Sequence, residues 1–224
     1  MASWTVERLL DHVQEIMGEP VGGFYNISTR LDQMNQAQRE LNDETRAIVG
    51  TTDITVVSGT RDYDLPADFL TFSTEQPYFV DSAGQYHAVE VTDVDLMARR
   101  YQRWQDESAH VGLPTHLVVR NGTLTLYPTP NQGGTLTVPY VVEPTELAEM
   151  DDEPFNGLSH LNRFAPALAY KVAFVNAIGR APQIAAMFQD LYERQERLMR
   201  HHVRSSPQHK PGVRPPQGEY HRGS

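Results

Sequence analysis

Cysteine is absent from all 224 residues. That excludes a disulfide framework and thiolate chemistry, so the fold must stand without an oxidising compartment and suits a reducing cytoplasm. Long apolar runs are missing too: no stretch approaches the roughly 18 residues that cross a bilayer. Residues 1–10 also lack the basic lead and apolar core of a signal peptide. A soluble, untargeted protein with no membrane partner is expected. No Gly-x-Ser-x-Gly, Walker loop or Gly-x-Gly-x-x-Gly occurs. His201 and His202 are adjacent, so on a helix they diverge and lack the i, i+4 spacing of a metal pair. The acidic run Glu149-Met-Asp-Asp-Glu153-Pro reads as carboxylates ahead of a helix start, favourable with the helix dipole, in preference to a metal cradle. No catalytic residue, metal or cofactor is expected.

Positive charge is the scarcer sign: 19 Lys and Arg stand against 29 Asp and Glu, a net charge of −10. The deficit is uneven. Residues 191–224 hold seven Lys/Arg and three Asp/Glu, a net +4, whereas residues 1–190 hold the other twelve and twenty-six, a net −14. An acidic body argues against a reader of nucleic-acid sequence, because phosphate neutralisation needs a basic face. The basic end is expected to meet an acidic partner; the plainer alternative is a solvated acidic surface with a loose tail. The apolar fraction of 39% is lean for a self-sufficient monomer, so part of the stability is expected to come from neighbours.

What is present is a β-rich block between helical segments. Thr5 is placed to cap a first helix whose Val6, Leu9, Leu10, Val13, Ile16 and Met17 share one face, with Gly18 and Pro20 ending it. Ser28 or Thr29 is predicted to cap a second helix, seamed by Leu31, Met34, Gln38, Leu41, Thr45 and Ile48 and stopped at Gly50. Gln38 and Thr45 in that seam, with Asn35 and Asn42 beside it, read as loose packing or a subunit boundary, ordinary core helix being the other reading.

From Ile54 the period changes to two. Residues 54–57 and 61–65 read as a hairpin about Ser58-Gly59, Phe69 as a core plug, and 78–80 with 86–91 as a second hairpin. Thr92 is predicted to cap a short helix over 93–104, and Asn121-Gly122 marks a type I′ turn between 115–119 and 123–127. Pro139 removes a ladder donor from the last strand, 135–142, and so predicts an edge or a bulge there. A third helix is predicted over 158–178 and a fourth from Pro182 to about Arg200, striped by Ile184, Met187, Phe188, Leu191, Leu198 and Met199. From Val203 onward the composition excludes a core and a helix.

The expected fold class is therefore α+β: a four-helix bundle (two N-terminal, two C-terminal helices) with an inserted antiparallel β-rich subdomain and an extended C-terminal arm. The expected boundaries are 1–50, 51–148, 149–202 and 203–224. Arg99-Arg100-Tyr101-x-Arg103-Trp104 mixes cations and aromatics as binding segments for nucleic acid or sugar do, but packing or a subunit contact is the preferred reading.

The order of phrases carries further than any one of them. A capped helix pair precedes Val57-Ser-Gly-Thr-Arg-Asp-Tyr63, Leu65-Pro-Ala-Asp-Phe69, Gly112-Leu-Pro114, Leu124-Thr-Leu-Tyr-Pro-Thr-Pro130, Tyr140-x-x-x-Pro144 with Leu147, and Asp151-Asp-Glu-Pro154 before an Ala-rich helix pair. In that order, over roughly residues 5–195, the chain resembles the head-to-tail adaptor proteins of tailed bacteriophages. The resemblance implies a ring, usually of twelve copies, below the portal at the capsid vertex, with DNA passing through without sequence-specific binding. It implies portal and tail or nozzle proteins as partners, residence in the virion after synthesis in the host cytoplasm, and no catalytic residues. The helices would build the wall and meet the portal, and the β block would project toward the tail.

Arg200, Arg204, Lys210, Arg214, Tyr220 and Arg222 are the expected portal anchors, the last five on the arm. Arg99, Arg100, Arg103, Trp104, Pro139 and Tyr140 are the expected subunit or tail interface. A tail-fibre or glycan-binding module remains the rival, with Tyr78, Tyr86 and Tyr127 as stacking platforms, and a hydrolase is the weaker one.

Overall fold

In a computed structural model the described residues are 3–18, 26–106, 110–120 and 122–205. In chain order the elements are α1 (Val6–Met17), α2 (Ile27–Thr45), β1 (Val49–Val56), β2 (Asp62–Asp64), β3 (Phe69–Phe72), β4 (Tyr78–Asp81), β5 (Tyr86–Ala88), β6 (Glu90–Thr92), α3 (Val94–Arg100), β7 (Val111–Gly112), β8 (His116–Arg120), β9 (Thr123–Tyr127), β10 (Thr129–Pro130), β11 (Gly134–Val142), α4 (Pro166–Ala177) and α5 (Pro182–Ser205). The class is α+β with mainly antiparallel sheets. Two compact units result, one holding α1, α2, α4 and α5, the other the chain from Val49 to Val141.

In the helical unit, Thr5 accepts from the Arg8 N–H at 3.4 Å, and Gly18, at φ 64°, closes α1 by donating to Gln14 and Glu15 carbonyls. The first N–H groups of α1 find partners far away in sequence: Val6 donates to the Asp152 carbonyl at 3.0 Å and Glu7 to that of Met150 at 2.9 Å. The acidic run thus supports the start of the chain's first helix rather than the helix that follows it. Asp152 turns its carboxylate onto the N–H groups of Ala148 (2.7 Å) and Glu149 (2.8 Å), which hold its pKa below the ordinary carboxylate value. No metal-holding cluster occurs among the described residues.

Asn26, not Ser28 or Thr29, caps α2, accepting from the Ser28 N–H at 3.2 Å. Arg46, left-handed at φ 53°, ends it, and Gly50 lies inside β1. The polar positions of α2 are neither loose nor at a boundary. Asn35 exchanges two hydrogen bonds with Leu147 (3.0 and 2.8 Å), Gln38 donates to the Thr145 carbonyl (2.9 Å) and accepts from the Phe155 N–H (2.6 Å), and Asn42 donates to Val142 (2.9 Å) and accepts from Ile48 (3.0 Å). Spaced i, i+3 and i+7, these amides share one helical face and supply both a donor and an acceptor to an extended return segment that has no strand partner there. All three are buried.

The predicted third helix starts late. Residues 155–157 and 162–164 form 3-10 turns, and α4 begins at Pro166, where the missing N–H costs nothing. Its Ala167, Leu168, Ala169, Val172 and Ala173 are buried, and it packs against α1, α2 and α5. Lys171 bonds Glu40 at 2.7 Å and Arg200 bonds Glu44 at 3.0 Å, tying α4 and α5 to the outer side of α2. Helix α5 runs to Ser205, with Val203 buried in the core. Residues 203–205 are therefore helix, contrary to the expected start of an arm at 203.

In the β unit one sheet has the order β1-β11-β4-β5, with β3 also on β11; a second has the order β2-β9-β8-β6, and β7 and β10 make a short parallel pair. Strand β1 does not turn back onto β2. It pairs antiparallel with β11, from Val49↔Val141 to Val56↔Gly134, and β2 pairs with β9. The β4–β5 and β8–β9 hairpins form as the turn residues predict. Phe79, Leu117, Leu124, Leu126, Leu136 and Val138 fill the core. Phe69 is only half buried, lying 5.1 Å from the Phe72 ring and stacked 5.7 Å from Tyr140.

Pro139 does not mark an edge, because β11 is an interior strand. The ladder explains how the proline is tolerated. Val142 donates to Ile48 at 2.9 Å, so even-numbered β11 residues face β1 and odd-numbered ones face away. Pairing with β4 stops at Thr137, so the missing N–H of Pro139 falls just beyond that strand, while its carbonyl accepts from Ser73 at 3.4 Å.

Candidate assembly surfaces

The residues expected at a subunit or tail interface separate into surface and core. Asp93, rather than Thr92, caps α3 by accepting from the Leu96 N–H at 2.6 Å, and the helix stops at Arg100. Arg99 is exposed, Arg100 lies 3.8 Å from Glu90, and Arg103 pairs with Asp106 at 2.6 Å. Trp104 is core: it packs with Met97, Val118 and Tyr127, and its carbonyl accepts from the buried Arg61 at 3.1 Å. Pro139 and Tyr140 are buried as well, with the Tyr140 hydroxyl donating to Asp68 at 3.0 Å. Burial, helped by the Asp68 carboxylate, raises the Tyr140 pKa. Trp104, Pro139 and Tyr140 therefore offer no surface in the protomer. Of the proposed stacking platforms, Tyr78 and Tyr86 are neighbours at 5.5 Å, but Tyr127 is buried beneath Tyr101.

One edge of the first sheet belongs to β1 and the other to β5. By the parity that seats Pro139, Thr52, Ile54 and Val56 bond to β11, while Thr51, Asp53 and Thr55 point their backbone groups outward, where no hydrogen bond among the described residues meets them. Thr51→Pro is accordingly expected to be tolerated. Thr52→Pro loses an inward donor and should cost about 1–2 kcal/mol more in denaturant unfolding; equal costs for the two variants would contradict the parity.

His116 is buried at the start of β8, with Glu90 3.6 Å from Nε2, the Tyr101 ring at 5.3 Å and Arg100 on the neighbouring helix. Burial holds its pKa below the ordinary value, opposed by Glu90 and aided by Arg100. Below about pH 6.5 the unfolded chain takes up a proton that the folded one resists, so stability falls as pH drops through that region. His116→Gln should flatten this slope between about pH 6.5 and 5; an unchanged slope would remove His116 as its source.

On the helical unit, Arg200 is engaged by Glu44 and by Glu196 at 2.6 Å, whereas Arg204 is exposed near the end of α5. Lys210, Arg214, Tyr220 and Arg222 lie outside the described residues. The sequence stripe of α5 merges two faces. Ala185, Phe188, Tyr192, Met199 and Val203 are buried, but Ile184, Met187 and Leu198 are about half exposed (50, 51 and 50%), with Val175 of α4 and Ile178 just after it exposed as well. This second flank was hidden because a 3.6-residue period cannot say which part of a wide apolar arc meets the core.

The described residues present exposed charged side chains on α3 and α5 and an open strand edge at β1. Residues 4–213 match the family described as SU10 adaptor protein, and the chain belongs to that family. The family is one of phage adaptors, and its role is structural. No curated protein matches the chain. No helix among the described residues is long and apolar enough to cross a membrane.

Proposed function

We propose that this protein is a head-to-tail connector that closes into a ring, of twelve copies, beneath the portal and passes DNA through its centre. The observation that carries this reading is the family match along residues 4–213. The adaptor role implies portal and tail proteins as neighbours in the virion. In this reading the four long helices act as one bundle that forms the wall and meets the portal, and the β unit serves the tail side through its open β1 edge and the exposed Arg99, Arg100 and Arg103. A body of net charge −14 over residues 1–190 would let DNA slide without adhering.

The portal contact is assigned to Arg200 and Arg204 with Lys210, Arg214, Tyr220 and Arg222. Joined to a ring, modest contacts of each copy add to high avidity. Because Val203 is core, the informative deletion is 206–224, not 203–224. The truncated protein should keep its unfolding midpoint yet fail to join filled capsids; normal head completion would overturn this assignment. The ring itself is tested by imaging and native mass of the full chain mixed with purified portal. Annular density under the portal is expected. Its absence at the capsid exit of the virion would end the proposal.

A further inference from the structure

Two charged ridges of opposite sign lie unanswered on the helical unit. Along α5, Arg194, Arg197, His201 and Arg204 recur at i, i+3, i+7 and i+10 on the face away from Phe188 and Met199. Arg194 and Arg204 have no ion pair among the described residues, and Arg197 only a loose one with Glu193 at 3.8 Å. Along α1, Glu7, Asp11 and Glu15 recur at i, i+4 and i+8 and are all exposed. Glu7 and Asp11 have no ion pair among the described residues, and Glu15 lies 3.7 Å from His12. Arg8, between them in sequence, turns over the Trp4 ring at 4.5 Å and bonds the Ser3 carbonyl.

The ridges match in length, about 15 Å from Arg194 to Arg204 and about 12 Å from Glu7 to Glu15 at the helical rise. Each has an apolar border. Met187 and Leu198 flank the basic ridge, and Met150, 40% exposed and bonded through its carbonyl to the Glu7 N–H, flanks the acidic one. Opposed charge beside half-exposed apolar side chains is the composition of a protein interface with its polar rim. No ion pair joins α1 to α5 within the protomer among the described residues, so a second copy of the chain supplies a partner of the matching charge for each ridge.

We infer that the basic ridge of α5 in one copy docks on the acidic ridge of α1 in the next, and that this head-to-tail contact is the one that closes the ring. The inference rests on the ring reading above. A contact between two different surfaces of the same chain repeats around an axis until it closes.

The test is charge exchange in the full chain, read by native mass and sedimentation, alone and on portal rings. Arg194→Glu with Arg197→Glu, which leaves the proposed portal anchors untouched, and separately Asp11→Arg with Glu15→Arg, should each raise the protein concentration needed for assembly at least about tenfold. Carrying all four changes in one chain should restore assembly, which a merely structural role would not do. Leu198→Glu should block assembly while leaving the unfolding midpoint of the monomer unchanged. Assembly indifferent to either reversal, or reversals not rescued by their combination, would overturn the inference while leaving a ring of other contacts standing. A wild-type chain that stays monomeric with and without portal would overturn both, and a rescued assembly that stops at two copies would overturn the ring together with the claim that this contact closes it.

Discussion

Gln38→Leu is expected to be among the most damaging single changes in the helical unit. The new side chain nearly matches the old in volume, so packing changes little, but the Thr145 carbonyl loses its donor at 2.9 Å and the Phe155 N–H its acceptor at 2.6 Å. Gln38 is 1% exposed and Phe155 fully buried, so water does not replace the amide on the Phe155 N–H, whereas Thr145 is an exposed residue whose carbonyl can turn to solvent. A buried group left unpaired costs about 1–3 kcal/mol and the lost bond to Thr145 about 1 kcal/mol, which puts the loss at about 2–4 kcal/mol. That is a large share of the stability of an ordinary domain. The control is Gln36→Leu, two residues away, where an exposed amide bonds Glu40 at 2.9 Å. Its loss should stay within about 0.5 kcal/mol. Denaturant unfolding followed by circular dichroism measures both, and comparable midpoints would show that the α2 amides do not hold the return segment.

Gly134→Ala should disturb the β unit on a similar scale by excess rather than loss. A Cβ at position 134 would stand 2.3 Å from the Val80 carbonyl and 2.6 Å from two atoms of the Phe79 ring, itself fully buried. Residue 134 is paired to β1 and β4 at once, with Val56 on one side and Asp81 on the other, so the backbone has little room to retreat. The expected cost is about 3 kcal/mol, at the upper end for overpacking. Phe79→Leu in the same chain removes the ring contact and leaves the carbonyl contact. The pair should therefore couple, yet not return to the wild-type midpoint. Additive losses would place the strain somewhere other than this close approach.

These two positions also show where the sequence was legible. Local grammar read well: the Thr5 cap, the Gly18 stop, the hairpins about residues 81–84 and 121–122, and Pro182 at the first turn of α5 depend on neighbours within four residues. Long-range pairing did not. Residues 54–57 and 61–65 looked like a hairpin because they are adjacent, yet β1 finds β11 some eighty residues later. Asn35, Gln38 and Asn42 looked like a weak seam because an amide's partner cannot be read from its own helix; here all the partners but Ile48 lie beyond residue 141.

The candidate surfaces divide in the same way. The exposure of Arg99, Arg100 and Arg103 agrees with their charge, but Trp104, Pro139 and Tyr140 were drawn toward the surface by proximity to arginines or by proline's missing donor. Neither signal reports burial. The charged face of α5 was visible residue by residue in the sequence, but only the pairing of Arg200 with Glu44 showed which of its arginines are already spoken for.

Val49 and Val141 face each other in the ladder, and Ile48 and Val142 bond both to one another and to the Asn42 amide. The helical scaffold is thus sealed at its own junction, whatever polypeptide is spliced across the gap. Such a seam makes the intervening ninety-odd residues a cassette. Changes of sequence within it would alter the surface that unit offers without removing the contacts that close the scaffold.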